Sequence, residues 1–142
     1  MVKLTENIKQ FVDDRGAETI LIESTITGGF KGTSQCRVLD GSEQNSMDET
    51  FGTIQEISTW SDLSDLNNGW LKEGWLQEQD ESNQKHIKVV CSSKRFGWST
   101  ITVWGFAEID GQRRHVRKFS AIKDGKEFNV RAVYDWLPTE GR

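Results

Sequence analysis

The sequence predicts a mostly β protein, a small antiparallel barrel forming one domain over 1–142, with an N-terminal helix at 5–15 and barrel strands over 18–137. Three observations predict it. Short runs rich in β-branched and aromatic residues recur from Glu18 onward. Two Asp-Gly pairs, Asp110-Gly111 and Asp124-Gly125, each separate two such runs. Ahead of them, Leu4, Ile8, Phe11 and Val12 fall at helical spacing.

The elements follow in order. Thr5 is placed to cap the first helix and Gly16 to end it. Glu18 to Ile26 carries Ile20, Ile22 and Ile26 on one side and reads as a strand. Gly28-Gly29 breaks it, and Lys31 to Leu39 is its partner. Residues 42–50 are polar and lack periodicity, so they read as a loop. Phe51 to Ile57 is a short strand. Trp60, Leu63 and Leu66 make Ser58 to Asn68 a short helix or an ordered loop. Trp70 to Leu76 reads as a strand, 77–85 as a solvated turn, and His86 to Ser92 as a strand.

The last third is the most informative. Asp-Gly between β-rich runs signals a two-residue hairpin loop, which needs positive φ at both central positions and so fixes register. Counting back from each loop places residues opposite one another. One face then carries Glu108, Arg113 and Trp136, next Phe106, His115 and Tyr134, then Trp104, Arg117 and Ala132, then Thr102, Phe119 and Val130. The other carries Ala107, Arg114 and Asp135, next Gly105, Val116 and Val133, then Val103, Lys118 and Arg131. The first face holds most of the aromatic area, and at about 25 cal/mol per Å2 its burial is the larger driving force, so it is expected to face inward. An Arg114–Asp135 pair is expected on the other face. There the strip Ile101, Val103, Gly105, Val116 and Val133 is more apolar than a solvated surface requires, which suggests a homodimer.

Composition narrows the function classes. With a net charge of −4 over 142 residues, nucleic acid is not an expected partner. No apolar run is long enough to span a bilayer, and the first residues lack the apolar core of a secretory signal, so a cytoplasmic protein is expected. Two histidines do not suggest a metal site, and Cys36 and Cys91 match no metal spacing and are expected to be reduced. No phosphate loop, calcium loop or preformed nucleophile motif is present, and no cofactor is expected.

The aromatic face therefore carries the candidate chemistry. His115 titrates near neutral pH and Tyr134 can donate to an oxyanion, which makes them candidate acid–base groups. Arg113 and Arg117 can hold a carboxylate or phosphate through bidentate bonds, Glu108 can pair with Arg113, and Arg117 can lie against Trp104. Phe106, Phe119 and Trp136 would complete an apolar binding surface with Trp104. Each has a plainer reading as core or as a surface ion pair.

About seven or eight strands with tight hairpins favour closure, which removes exposed edges and leaves room for one small ligand. In architecture this resembles the calycin class, the lipocalin-like barrels. The alternative fold is an α+β cone with a curved antiparallel sheet. The first expected function is a binding barrel for a small amphipathic or aromatic molecule bearing an anionic or carbonyl group. The second is a cofactor-free isomerase, cyclase or lyase of small-molecule biosynthesis using His115 and Tyr134. The third is a carbohydrate-binding module using surface tryptophans.

Overall fold

The computed structural model describes residues 3–27, 30–48, 52–76 and 86–137, so the expected break at Gly28-Gly29 and the turn at 77–85 lie outside the described residues. The chain forms two compact units, Met1–Ser42 and Glu43–Arg142, each built on one antiparallel sheet. Neither sheet closes, so the structure is β-rich as expected but is not a barrel.

The first unit is three strands in sequence order: β1 (Leu4–Val12), β2 (Glu18–Ile26) and β3 (Phe30–Val38). The helix expected over 5–15 is instead β1. Leu4, Ile8 and Val12 satisfy a helical spacing, but all three are also even-numbered and so share one side of a strand, where Ile8 meets Ile22 and Leu4 meets Ile26. Gly16 misled for a similar reason. Its φ of 81° is the left-handed conformation that ends a helix, and here it belongs to a hairpin turn. The Asp13 carboxylate closes that turn by accepting from the backbone N–H of Arg15 and of Ala17, each at 2.9 Å. The β2 residues Ile20 and Ile22 are buried at 2% and 3% exposure and anchor this sheet.

The second unit is an up-and-down meander of six strands: β4 (Glu43–Asp48), β5 (Gly52–Ser61), β6 (His86–Ser93), β7 (Trp98–Ile109), β8 (Gln112–Lys123) and β9 (Lys126–Tyr134). The polar run read as a loop at 42–50 contains β4. An edge strand needs only one neighbour and no apolar face, so its composition hides it. Between β5 and β6 lie a short 3-10 turn, Leu63–Asp65, and a one-turn helix α1, Gly69–Lys72, where a strand over 70–76 was expected. Asn68 starts α1 by accepting from the N–H of Trp70 at 2.8 Å, and its amide also donates to Ser120 and Glu127 on the sheet.

This unit buries residues on both faces of its sheet: Val89, Thr102, Trp104 and Arg117 on the aromatic face, and an apolar cluster on the face expected to lie outward. Val103, Ala107 and Val116 are buried beneath Leu66, Leu71 and Trp75, with Leu63 and Trp70 packed alongside. The aromatic area that closes the cluster comes from the 63–76 segment rather than from the meander, so comparing the two sheet faces alone missed this second buried side. Val103, Val116 and Leu71 are essentially inaccessible, each contributing about 1.5–3 kcal/mol. The strip proposed for a dimer is thus covered by its own chain at Val103 and Val116. Gly105 permits the fit, because a Cβ there would come within 2.5 Å of His86 Cδ2 and 2.8 Å of Trp75 Cε3.

Candidate functional site

The two hairpins that build the site have the expected register. Ile109 faces Gln112, Phe106 faces His115 and Trp104 faces Arg117 across β7 and β8. Across β8 and β9, His115 faces Tyr134, Arg117 faces Ala132 and Phe119 faces Val130. Positive φ at Asp110 (52°), Gly111 (78°), Asp124 (53°) and Gly125 (74°) produces both loops. Opposed residues share a face, so one surface of three strands gathers Trp104, Phe106, His115, Arg117 and Tyr134.

Arg117 is the centre of this cluster and is only 6% exposed. Its guanidinium carbon stands 3.9 Å from the Trp104 ring centroid and 4.3 Å from that of Tyr134, so two π faces contact it. Such contacts reach about 2 kcal/mol when water is excluded. Its Nε donates to His115 Nε2 at 3.1 Å. Because Nε2 accepts, the imidazole proton belongs on Nδ1, which lies 3.0 Å from the Gly105 carbonyl oxygen and donates to it. His115 is further ringed by Trp104, Phe106 and Tyr134, with centroids 5.7, 5.6 and 5.4 Å away.

The remaining expected residues lie at graded distance from this centre. Arg113 stacks on Phe106 at 3.7 Å and faces Glu108 in the ladder, both toward the exposed end. Phe119 occupies the next row, opposite Thr102 and Val130. Trp136 lies beyond the end of β9 and is 83% exposed, so it does not join the cluster. The Arg114–Asp135 ion pair forms as expected on the opposite face.

One cation escaped the sequence reading. Lys118, next to Arg117 on β8, points to the opposite face and is 7% exposed. Its Nζ donates to the carbonyls of Trp70 at 3.0 Å and Glu73 at 2.6 Å and sits 4.5 Å from the Trp70 ring centroid. Burial lowers its pKa below the usual lysine value, partly opposed by the Glu73 carboxylate. Lys118 therefore ties the 63–76 segment to the sheet. The alternation of β8 had marked it as an outward charge. Only the unforeseen cover over that face makes it interior.

Cys36 and Cys91 are both free thiols. Among the described residues, no helix is long and apolar enough to cross a membrane.

No protein-family model matches the chain, and no solved structure matches it. The chain is similar to the pericyclase pydY of an Acremonium species, with 24% identity over 137 residues, which are 96% of this chain and 73% of that protein.

Proposed function

We propose that this chain is a cofactor-free cyclase acting on a small amphipathic molecule at the aromatic face of β7, β8 and β9. The observation that carries the reading is the placement of Arg117, a buried guanidinium contacted by Trp104 and Tyr134 and tethered by His115. The similarity to a pericyclase supports the reaction type. A pericyclic reaction reorganises π and σ bonds in one concerted step, so it requires no nucleophile and no proton transfer. It needs a shaped apolar surface that selects a folded substrate, and a donor that polarises a conjugated carbonyl. The rings supply the surface. Arg117 supplies the donor, since the plane of a guanidinium carries its N–H groups along its edge. His115 acts by positioning Arg117, because its Nε2 lone pair is already occupied. Tyr134 acts as a wall of the site. This departs from an acid–base pair of His115 and Tyr134.

Binding of such a molecule without turnover is the second reading. It rests on the same aromatic face and guanidinium, and the engagement of both His115 nitrogens favours either reading over acid–base chemistry at that imidazole.

The test is to incubate the protein with a panel of linear conjugated ketones, amides and acids, following loss of conjugated absorbance and quenching of tryptophan fluorescence. The cyclase reading expects wild-type protein to consume a panel member. Arg117→Met should then slow turnover by about tenfold to a hundredfold, the cost of one or two charge-assisted hydrogen bonds. Quenching without consumption would favour the binding reading. Neither response from any compound would overturn both.

A further inference from the structure

The outer edge of β9 is paired with no other described strand. It is nine residues long, carries no proline and pairs with β8 without a register shift. Most of its side chains are exposed, including Phe128 at 57% and Val130 at 58%. The opposite edge, β4, is short and polar, which is how sheets commonly guard an edge. β9 is longer and sets the apolar Phe128 and Val130 among charges of both signs, so its edge suits a further strand of complementary charge.

We propose that β9 pairs antiparallel with β9 of a second copy about a two-fold axis at Asn129. Backbone geometry restricts the choice. The two-residue loop makes Lys123 and Lys126 a hydrogen-bonded pair, so Lys126, Phe128, Val130, Ala132 and Tyr134 turn their backbone groups toward β8. Glu127, Asn129, Arg131 and Val133 turn theirs outward. A two-fold pairing through those outward groups still allows several registers, and charge selects among them. Centred on Asn129, it sets Glu127 against Arg131 of the second copy, and Arg131 against its Glu127, on one face. On the other face it sets Phe128 against Val130 of the second copy, twice. Shifting the axis to Val130 loses both ion pairs, setting Glu127 against Val133 and Asn129 against Arg131.

Arg131 supplies an independent reason. It faces Lys118 across the ladder, and its charge adds to the lowering of the Lys118 pKa. Among the described residues no carboxylate forms an ion pair with Arg131. Glu127 of a second copy would place an anion beside two cations. One Glu127 oxygen already accepts from Asn68 and Ser120, and a carboxylate has a second oxygen for the pair.

Sedimentation velocity on charge-reversed variants of the full chain tests this. Wild-type protein is expected to dimerise as concentration rises. Glu127→Arg alone and Arg131→Glu alone each face like charges and are expected to remain monomeric. Mixing the two variants restores both pairs in a heterodimer, and the double variant restores the homodimer. Because rescue by mixing uses the same two folded chains, it separates interface loss from misfolding. A wild-type monomer at all concentrations, single variants that dimerise like wild type, or a mixture that stays monomeric would each overturn the proposal.

Discussion

Arg117 and Lys118 are neighbours on β8, each nearly buried, and they point to opposite faces with opposite consequences. The Lys118 ammonium is satisfied by two carbonyls of its own chain, whereas the Arg117 guanidinium rests between rings beside an imidazole. Lys118→Met keeps the apolar stem but leaves both carbonyls short of a donor. It should lower unfolding free energy by about 2 kcal/mol in urea titration at neutral pH. The pH dependence has a fixed sign. The folded pKa of Lys118 lies below its unfolded value of 10.5, so between the two the unfolded chain binds more protons. The stability of wild-type protein relative to Lys118→Met should therefore rise with pH through that window. A difference that falls with pH would contradict the burial of this amine. For Arg117, the cluster was legible because alternation and register depend only on the turns. Lys118 was not legible, because its environment comes from a segment some 45 residues earlier in the chain.

At the scale of elements, the last two hairpins were the most readable part of the molecule. Asp-Gly demands a backbone that few other residues tolerate, and the demand is local. Gly111→Ala should cost about 1 kcal/mol or more, since φ at that position is 78°. Thermal unfolding checks this, with Gln112→Ala as a neighbour of ordinary strand geometry. The N-terminal element was misread because Leu4, Ile8 and Val12 fit both periods, and a glycine at positive φ serves a hairpin as well as a helix end. β4 was missed because polarity is compatible with an edge. The short helix or ordered loop expected within 58–68 holds the 3-10 turn Leu63–Asp65, whereas 70–76 was misread as a strand because a single helical turn is too short to show a period. Asn68 is the main fastener of the 63–76 segment, capping α1 and reaching Ser120 and Glu127. Asn68→Ala is expected to lower stability by about 1–2 kcal/mol by urea titration, with Trp70 and Trp75 fluorescence shifting toward that of solvated indole.

At the scale of the whole molecule, β content was legible and closure was not. Closure depends on which edges meet, and hydrophobic pattern specifies faces rather than edges. The same gap hid the cover over Val103 and Val116, two residues of the strip read as a dimer surface. The functional account nevertheless rests on a feature that the sequence did place, a basic group inside an aromatic patch on three strands. Its central claim is that Arg117 receives the carbonyl or anionic end of a small apolar molecule. Fluorescence titration with parinaric acid, a conjugated carboxylate, tests this most directly on wild-type protein and on Arg117→Met, with Arg113→Met as a cation outside the cluster's centre. The account predicts saturable binding, weakened about tenfold or more by Arg117→Met and little changed by Arg113→Met. Equal affinity of wild-type and Arg117→Met proteins for the probe would contradict it.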